Sequence, residues 1–148
     1  MIVRSFLAAM ALAFAVLPAH AADKVHRLAL QISDDSPDKM TAVLNVAANV
    51  SRHYSEVGEE VEIRIVAFNA GLNMLRNDKS PVLARLKSIS ESLPNVAFEA
   101  CGNTRDNMAR NEGRKPEDIP LFAEAKIVQA GVVSLIELNE KGWTIVRP

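Results

Sequence analysis

The sequence predicts one α/β domain: a parallel sheet with helices on both faces. Three observations carry this expectation. Five short apolar segments have strand length, a helix-patterned stretch lies between successive ones, and turn residues mark most junctions. The resulting order, β-α-β-α-β-α-β-α-β, calls for crossover connections, and right-handed crossovers lay helices against the sheet.

The first strand is His26 to Ile32, where apolar residues largely alternate. Ser33 to Pro37 stops it and opens a helix, since proline is favoured in a first helical turn. Met40, Val43, Leu44, Ala47, Val50 and Tyr54 recur at spacings of three and four and form one apolar stripe, until Gly58 ends the helix. Val61 to Phe68 is β-branched and becomes continuously apolar, the strongest strand signal in the chain. Asn69-Ala-Gly71 breaks it, and a short helical turn is expected from Leu72 to Arg76. A helix beginning at Pro81 places Val82, Leu83, Leu86, Ile89 and Leu93 on one face, and Pro94-Asn95 stops it. Val96 to Ala100 is the third strand and runs into Cys101-Gly-Asn-Thr104. Asn103 or Thr104 is the expected cap of the next helix, which Gly113 closes. Ala125 to Gln129 forms a fourth strand. An apolar helix follows Gly131 as far as Lys141-Gly142, and Trp143 to Val146 is the last strand.

Ahead of this domain, Arg4 supplies a positive start, Phe6 to Leu17 an uncharged apolar run, and Ala19-His20-Ala21 a small-x-small end. These are the three parts of a secretory signal, and cleavage is expected after Ala21. The run is shorter than the roughly 20 apolar residues of a membrane span. Residues 1–21 are therefore assigned as the leader and 22–148 as the domain, with no membrane attachment expected after cleavage.

Composition excludes several function classes. Without Arg4 the chain keeps 16 Lys and Arg against 18 Asp and Glu. That balance exerts no strong pull on nucleic acid, and the few aromatics do not interleave with basic residues as a base-stacking surface requires. No Gly-rich phosphate loop, dinucleotide turn or Gly-x-Ser-x-Gly elbow is present. One cysteine and two histidines beyond the leader, far apart in sequence, do not make a zinc site of familiar spacing. No metal and no cofactor is expected. The single Cys101 rules out both an internal disulfide and a dithiol cycle.

In open α/β sheets ligands sit beyond the carboxyl ends of the strands, and three segments fall on that edge: Ser33 to Asp35, Asn69 to Gly71, and Cys101 to Thr104. Cys101 is the sharpest candidate. Backbone N–H groups at a strand-to-helix junction can lower a thiol pKa from about 8.5 toward 7 or below. Gly102 would leave the sulfur uncrowded on one side, and Asn103 and Thr104 could donate to an anion there. Gly71 could take positive φ and approach a ligand beside Asn69, although glycine after a strand is more often a turn. A small buried residue filling the strand end explains Cys101 equally well. Asp34 and Asp35 fit a helix start better than acid/base work. His53 fits a solvated surface, and Arg105, Arg110 and Arg114 a solvated helix face. His26 could reach a neighbouring subunit. The helix after Gly131 is more apolar than the surface of a monomer needs, which predicts a homo-oligomer.

Phe98-Glu-Ala-Cys-Gly-Asn-Thr104, the Val61–Phe68 strand with Asn69-Ala-Gly71, and Val128-Gln-Ala-Gly-Val-Val-Ser-Leu-Ile-Glu-Leu138 resemble the DsrE/DsrF-like family, in particular its exported single-domain branch. The resemblance spans about Lys24 to Pro148. It implies a three-layer α/β/α fold with a five-stranded, mostly parallel sheet, and assembly into trimers or hexamers. It also implies a periplasmic sulfur carrier in a sulfurtransferase relay, with Cys101 holding a persulfide and exchanging sulfur with a sulfane-sulfur molecule or an acceptor protein. The alternative is a non-catalytic oligomeric module of the same fold that binds a small molecule.

Overall fold

The structure, a computed structural model, describes residues 24–148; the expected leader and its cleavage point lie outside them. Five strands form one all-parallel sheet: β1 (His26–Ile32), β2 (Val61–Ala67), β3 (Val96–Cys101), β4 (Ala125–Val128) and β5 (Thr144–Val146), in the spatial order β4-β3-β2-β1-β5. Four α-helices connect them: α1 (Pro37–Glu56), α2 (Leu83–Ser92), α3 (Gly102–Asn111) and α4 (Gly131–Glu140). Two 3-10 turns (Asn69–Leu75 and Pro116–Asp118) complete the chain. The expected three-layer α/β/α architecture is present.

Local chemistry sets the boundaries. Pro37 occupies the first turn of α1, and the Ser36 hydroxyl accepts from the Lys39 amide at 3.4 Å, the usual N-terminal arrangement. Gly58, at φ 71°, carries the chain out of that helix. Helix α2 begins at Leu83, two residues later than Pro81 suggests, because residues 81 and 82 form a turn first. The turn after β2 begins at Asn69 and therefore takes in the whole Asn69-Ala-Gly71 segment.

The β1-to-β4 connections all step the same way across the sheet, so right-handed crossovers put their helices on one face. That face holds the main core, where Leu30, Ile63, Ile65 and Phe98 meet Met40, Val43, Leu86 and Ile89. The connection from β4 to β5 travels back across the sheet and puts α4 on the opposite face. Leu135 and Leu138 pack there on Ala29, Val66 and Trp143. The period-two alternation of a strand directs Glu99 and Cys101 to this second face. One ten-residue helix is about 15 Å long and does not cover five strands. Polar side chains such as Arg64 and Glu62 occupy the remainder.

Candidate functional site at the carboxyl edge of the sheet

Strand β3 is buried along its length except at Ala97, and its last residue is Cys101. The chain turns directly from strand into helix there. Cys101 is itself the residue before the first turn of α3, with φ −67° and ψ 115°. Neither Asn103 nor Thr104 caps the helix, contrary to the sequence expectation, because both already lie within its first turn. Thr104 has a different job: its hydroxyl accepts from the Asn69 backbone amide at 3.0 Å and ties the end of β2 to α3. Asn103 donates its backbone amide to the Gln129 carbonyl at 3.1 Å, which fixes the β4–α4 loop on the other side.

Between these ties lies an open cavity of about 240 Å³. Cys101, Phe68, Asn69, Asn103, Thr104 and Gly131 contribute to its wall. Two helices begin here. Helix α3 starts next to the thiol, and α4 starts at Gly131 with no side chain capping its first turn. The helix dipole favours negative charge at both starts, although at α3 the Asn103 amide is already taken by Gln129. Cys101 lines the cavity while being only 5% exposed. It is free of any disulfide.

Four of the six residues singled out from sequence thus meet at one cavity: Cys101, Asn69, Asn103 and Thr104. The two glycines do not line it. Gly71 is buried at ordinary negative φ and does not approach a ligand with φ > 0. A Cβ at this position would lie 2.3 Å from the Ile32 carbonyl oxygen, so the residue is glycine because the turn packs backbone to backbone on the end of β1. A Cβ on Gly102 would meet the Val128 carbonyl at 3.1 Å, so this glycine lets the start of α3 lie close against the end of β4. Asn69 takes the left-handed backbone (φ 49°), which asparagine tolerates better than most residues. Gly131 is a glycine that sequence reasoning did not place at the site. A Cβ there would lie 3.0 Å from Phe68, so α4 sits close against that ring.

The remaining candidates serve elsewhere. Asp34 pairs with Arg147 at 2.8 Å and Lys39 at 3.0 Å, and the Arg147 hydrogen bond leads in holding its carboxyl below the ordinary range. Asp35 accepts from Asn73 at 3.0 Å. His26 stacks on Tyr54 at 4.0 Å and reaches Glu59 at 2.5 Å within the same chain. His53 lies edge-on to Tyr54, 5.2 Å between centroids. Arg110 donates to Asn107, and Arg114 to Glu112.

Two polar clusters were not legible in the sequence. Fully buried Arg76 donates to both Asp78 and Glu112, joining the 3-10 turn after β2 to the end of α3. Glu99, 3% exposed, accepts from Arg64 at 2.8 Å and from the Ser134 hydroxyl. The charges that interrupt two apolar strands, Glu62 and Arg64 in β2 and Glu99 in β3, were the available signal for the second cluster. Among the described residues no group of three or more His, Cys, Asp and Glu side chains could hold a metal ion.

No family model matches this chain, and no curated protein matches it. Among solved structures it is similar to a protein of unknown function from Methanobacterium thermoautotrophicum. The similarity covers 83% of this chain and 99% of that one, at 26% identity and a TM-score of 0.68.

Proposed function

We propose that this protein is an exported, DsrE/DsrF-like sulfur carrier that holds sulfane sulfur as a persulfide on Cys101. The observation that carries the proposal is the meeting of a lone thiol with two helix starts at one solvent-open cavity. A thiolate attacks the sulfane sulfur of a donor such as thiosulfate. The new bond joins Cys101 Sγ to that sulfur, the donor's S–S bond breaks, and sulfite leaves with the bonding electron pair. An acceptor thiolate then attacks the outer sulfur, and Cys101 departs as thiolate. Exchange of this type needs an ionised, reachable nucleophile. The Asn103 and Thr104 side chains and the start of α4 are the groups placed to stabilise negative charge in the cavity.

The proposal includes a homo-oligomer. Val132, Val133 and Ile136 of α4 are each about half exposed, as is Ile127 of the edge strand β4. Side chains of this size on one side of a helix mark an interaction surface. A trimer or hexamer would cover them beside the cavity, since Val132 also lines it.

The near-complete burial of Cys101 favours a second reading, in which the cavity binds a small molecule and the thiol is only part of its wall. Alkylation of the native protein by iodoacetamide at neutral pH separates the two. The carrier reading expects labelling on the scale of minutes and loss of sulfur loading in Cys101→Ser. Labelling only after unfolding, with ligand binding intact in Cys101→Ser, would replace it with the second reading.

A further inference from the structure

The second face of the sheet holds another cavity, of about 210 Å³, across Ala130 from the cysteine. Its organising residue is Arg64, whose Nη1 is fixed by the buried Glu99 carboxylate at 2.8 Å. The guanidinium also lies over the Trp143 ring, 5.0 Å from carbon to centroid. Carboxylate behind and indole face beside it leave the guanidinium little freedom, and a planar fork held in place is preorganised for oxyanions. Both Glu99 oxygens are already engaged, one by Arg64 and the other by Ser134, so that carboxylate does not compete for the cavity's remaining donors.

Around this arginine the same cavity collects Lys126, Lys141, Gln129 and Ser134. Neither lysine is paired with a carboxylate among the described residues, and Glu137 is the one other acidic group in the lining. Arg64 and Glu99 balance each other, so two ammonium groups face one carboxylate, with spare guanidinium donors between them. The volume falls below the roughly 300 Å³ at which drug-sized ligand sites begin.

We propose that this cavity binds a small oxyanion carrying two charges, clamped by Arg64 with Lys126 and Lys141. The site does not depend on Cys101 carrying sulfur.

Trp143 is the single tryptophan of the chain and stacks on the clamp, so its fluorescence reports occupancy directly. The test titrates inorganic sulfate and, separately, acetate into the full protein at constant ionic strength set with chloride. Replacing Arg64 would strand Glu99 and risk the fold, so the variant is Lys126→Gln with Lys141→Gln, both at exposed positions. The expected result is a saturable change with sulfate, at lower concentration than with acetate, and weakened at least about five-fold in the double variant. A linear response, equal binding of acetate, or an unchanged midpoint in the double variant would overturn the proposal. An unaltered urea midpoint of the variant would show that any loss of binding is not loss of fold.

Discussion

Substituting Gly71 by alanine tests how the cavity wall is held. The new Cβ would lie 2.3 Å from the Ile32 carbonyl oxygen and 2.5 Å from its carbon. Ordinary contact begins at 3.4 Å, so turn and strand must separate by about 1 Å. Both partners are backbone, and no side chain can rotate away. The same Ile32 oxygen accepts from the Phe68 amide at 3.1 Å, so the separation also strains the bond that closes β2 against β1. Overpacking of this kind costs about 1–3 kcal/mol, and a weakened hydrogen bond adds about 1 kcal/mol. Alanine stabilises by restricting the unfolded chain, offsetting about 0.4–1 kcal/mol. The net expectation is a loss of about 1–3.5 kcal/mol. With a urea slope of about 2 kcal/mol per molar, the midpoint followed by Trp143 fluorescence should fall by about 0.5–1.8 M. Asn69 begins the same turn, so the Cys101 alkylation rate should change in the folded variant as well. A midpoint within about 0.3 M of the parent would refute the reasoning, because it would mean that the turn is not in backbone contact with β1.

Acid should weaken the fold through the Arg76 cluster. Hydrogen bonds from Arg76 first and Lys79 second hold the Glu112 carboxyl down at about 2, and Arg76 holds Asp78 below the ordinary range. Both folded values lie below the unfolded ones. Their stabilisation is therefore complete above about pH 5 and drains as pH falls toward 2. Urea midpoints measured across that window should decline, and Glu112→Gln should flatten the decline; an equal slope in the variant would contradict the assignment. Ile136→Lys places a charge in the exposed α4 patch, which is already half in water, so it should leave the urea midpoint nearly unchanged while reducing the mass seen by light scattering to that of one chain. A monomeric parent protein would refute the oligomer directly.

The alternation of strands and helices was legible because each element carries its own period. The 3.6-residue stripe from Met40 to Tyr54 and the apolar run from Val61 to Phe68 need no distant partner to be recognised. The distribution of helices was not legible. Three connections step one way and the fourth returns, and this strand order alone leaves α4 by itself on the second face. At the site, Cys101, Asn69, Asn103 and Thr104 were found because they follow strands, and parallel strands end together. The structural contacts of Thr104, Gly71 and Gly102 were not legible because each lies far away in the chain: Thr104 with Asn69, Gly71 with Ile32, Gly102 with Val128. The Glu99 cluster escaped for the same reason, its partners lying 35 residues away on either side.

Sulfur either resides on Cys101 or it does not, and intact-protein mass spectrometry decides this after brief exposure to thiosulfate or polysulfide. A gain of one sulfur atom, removed by a small thiol and absent from Cys101→Ser, is the result expected of a carrier. An unmodified native protein whose thiol reacts only once unfolded would contradict the carrier and leave the cavity as a binding site.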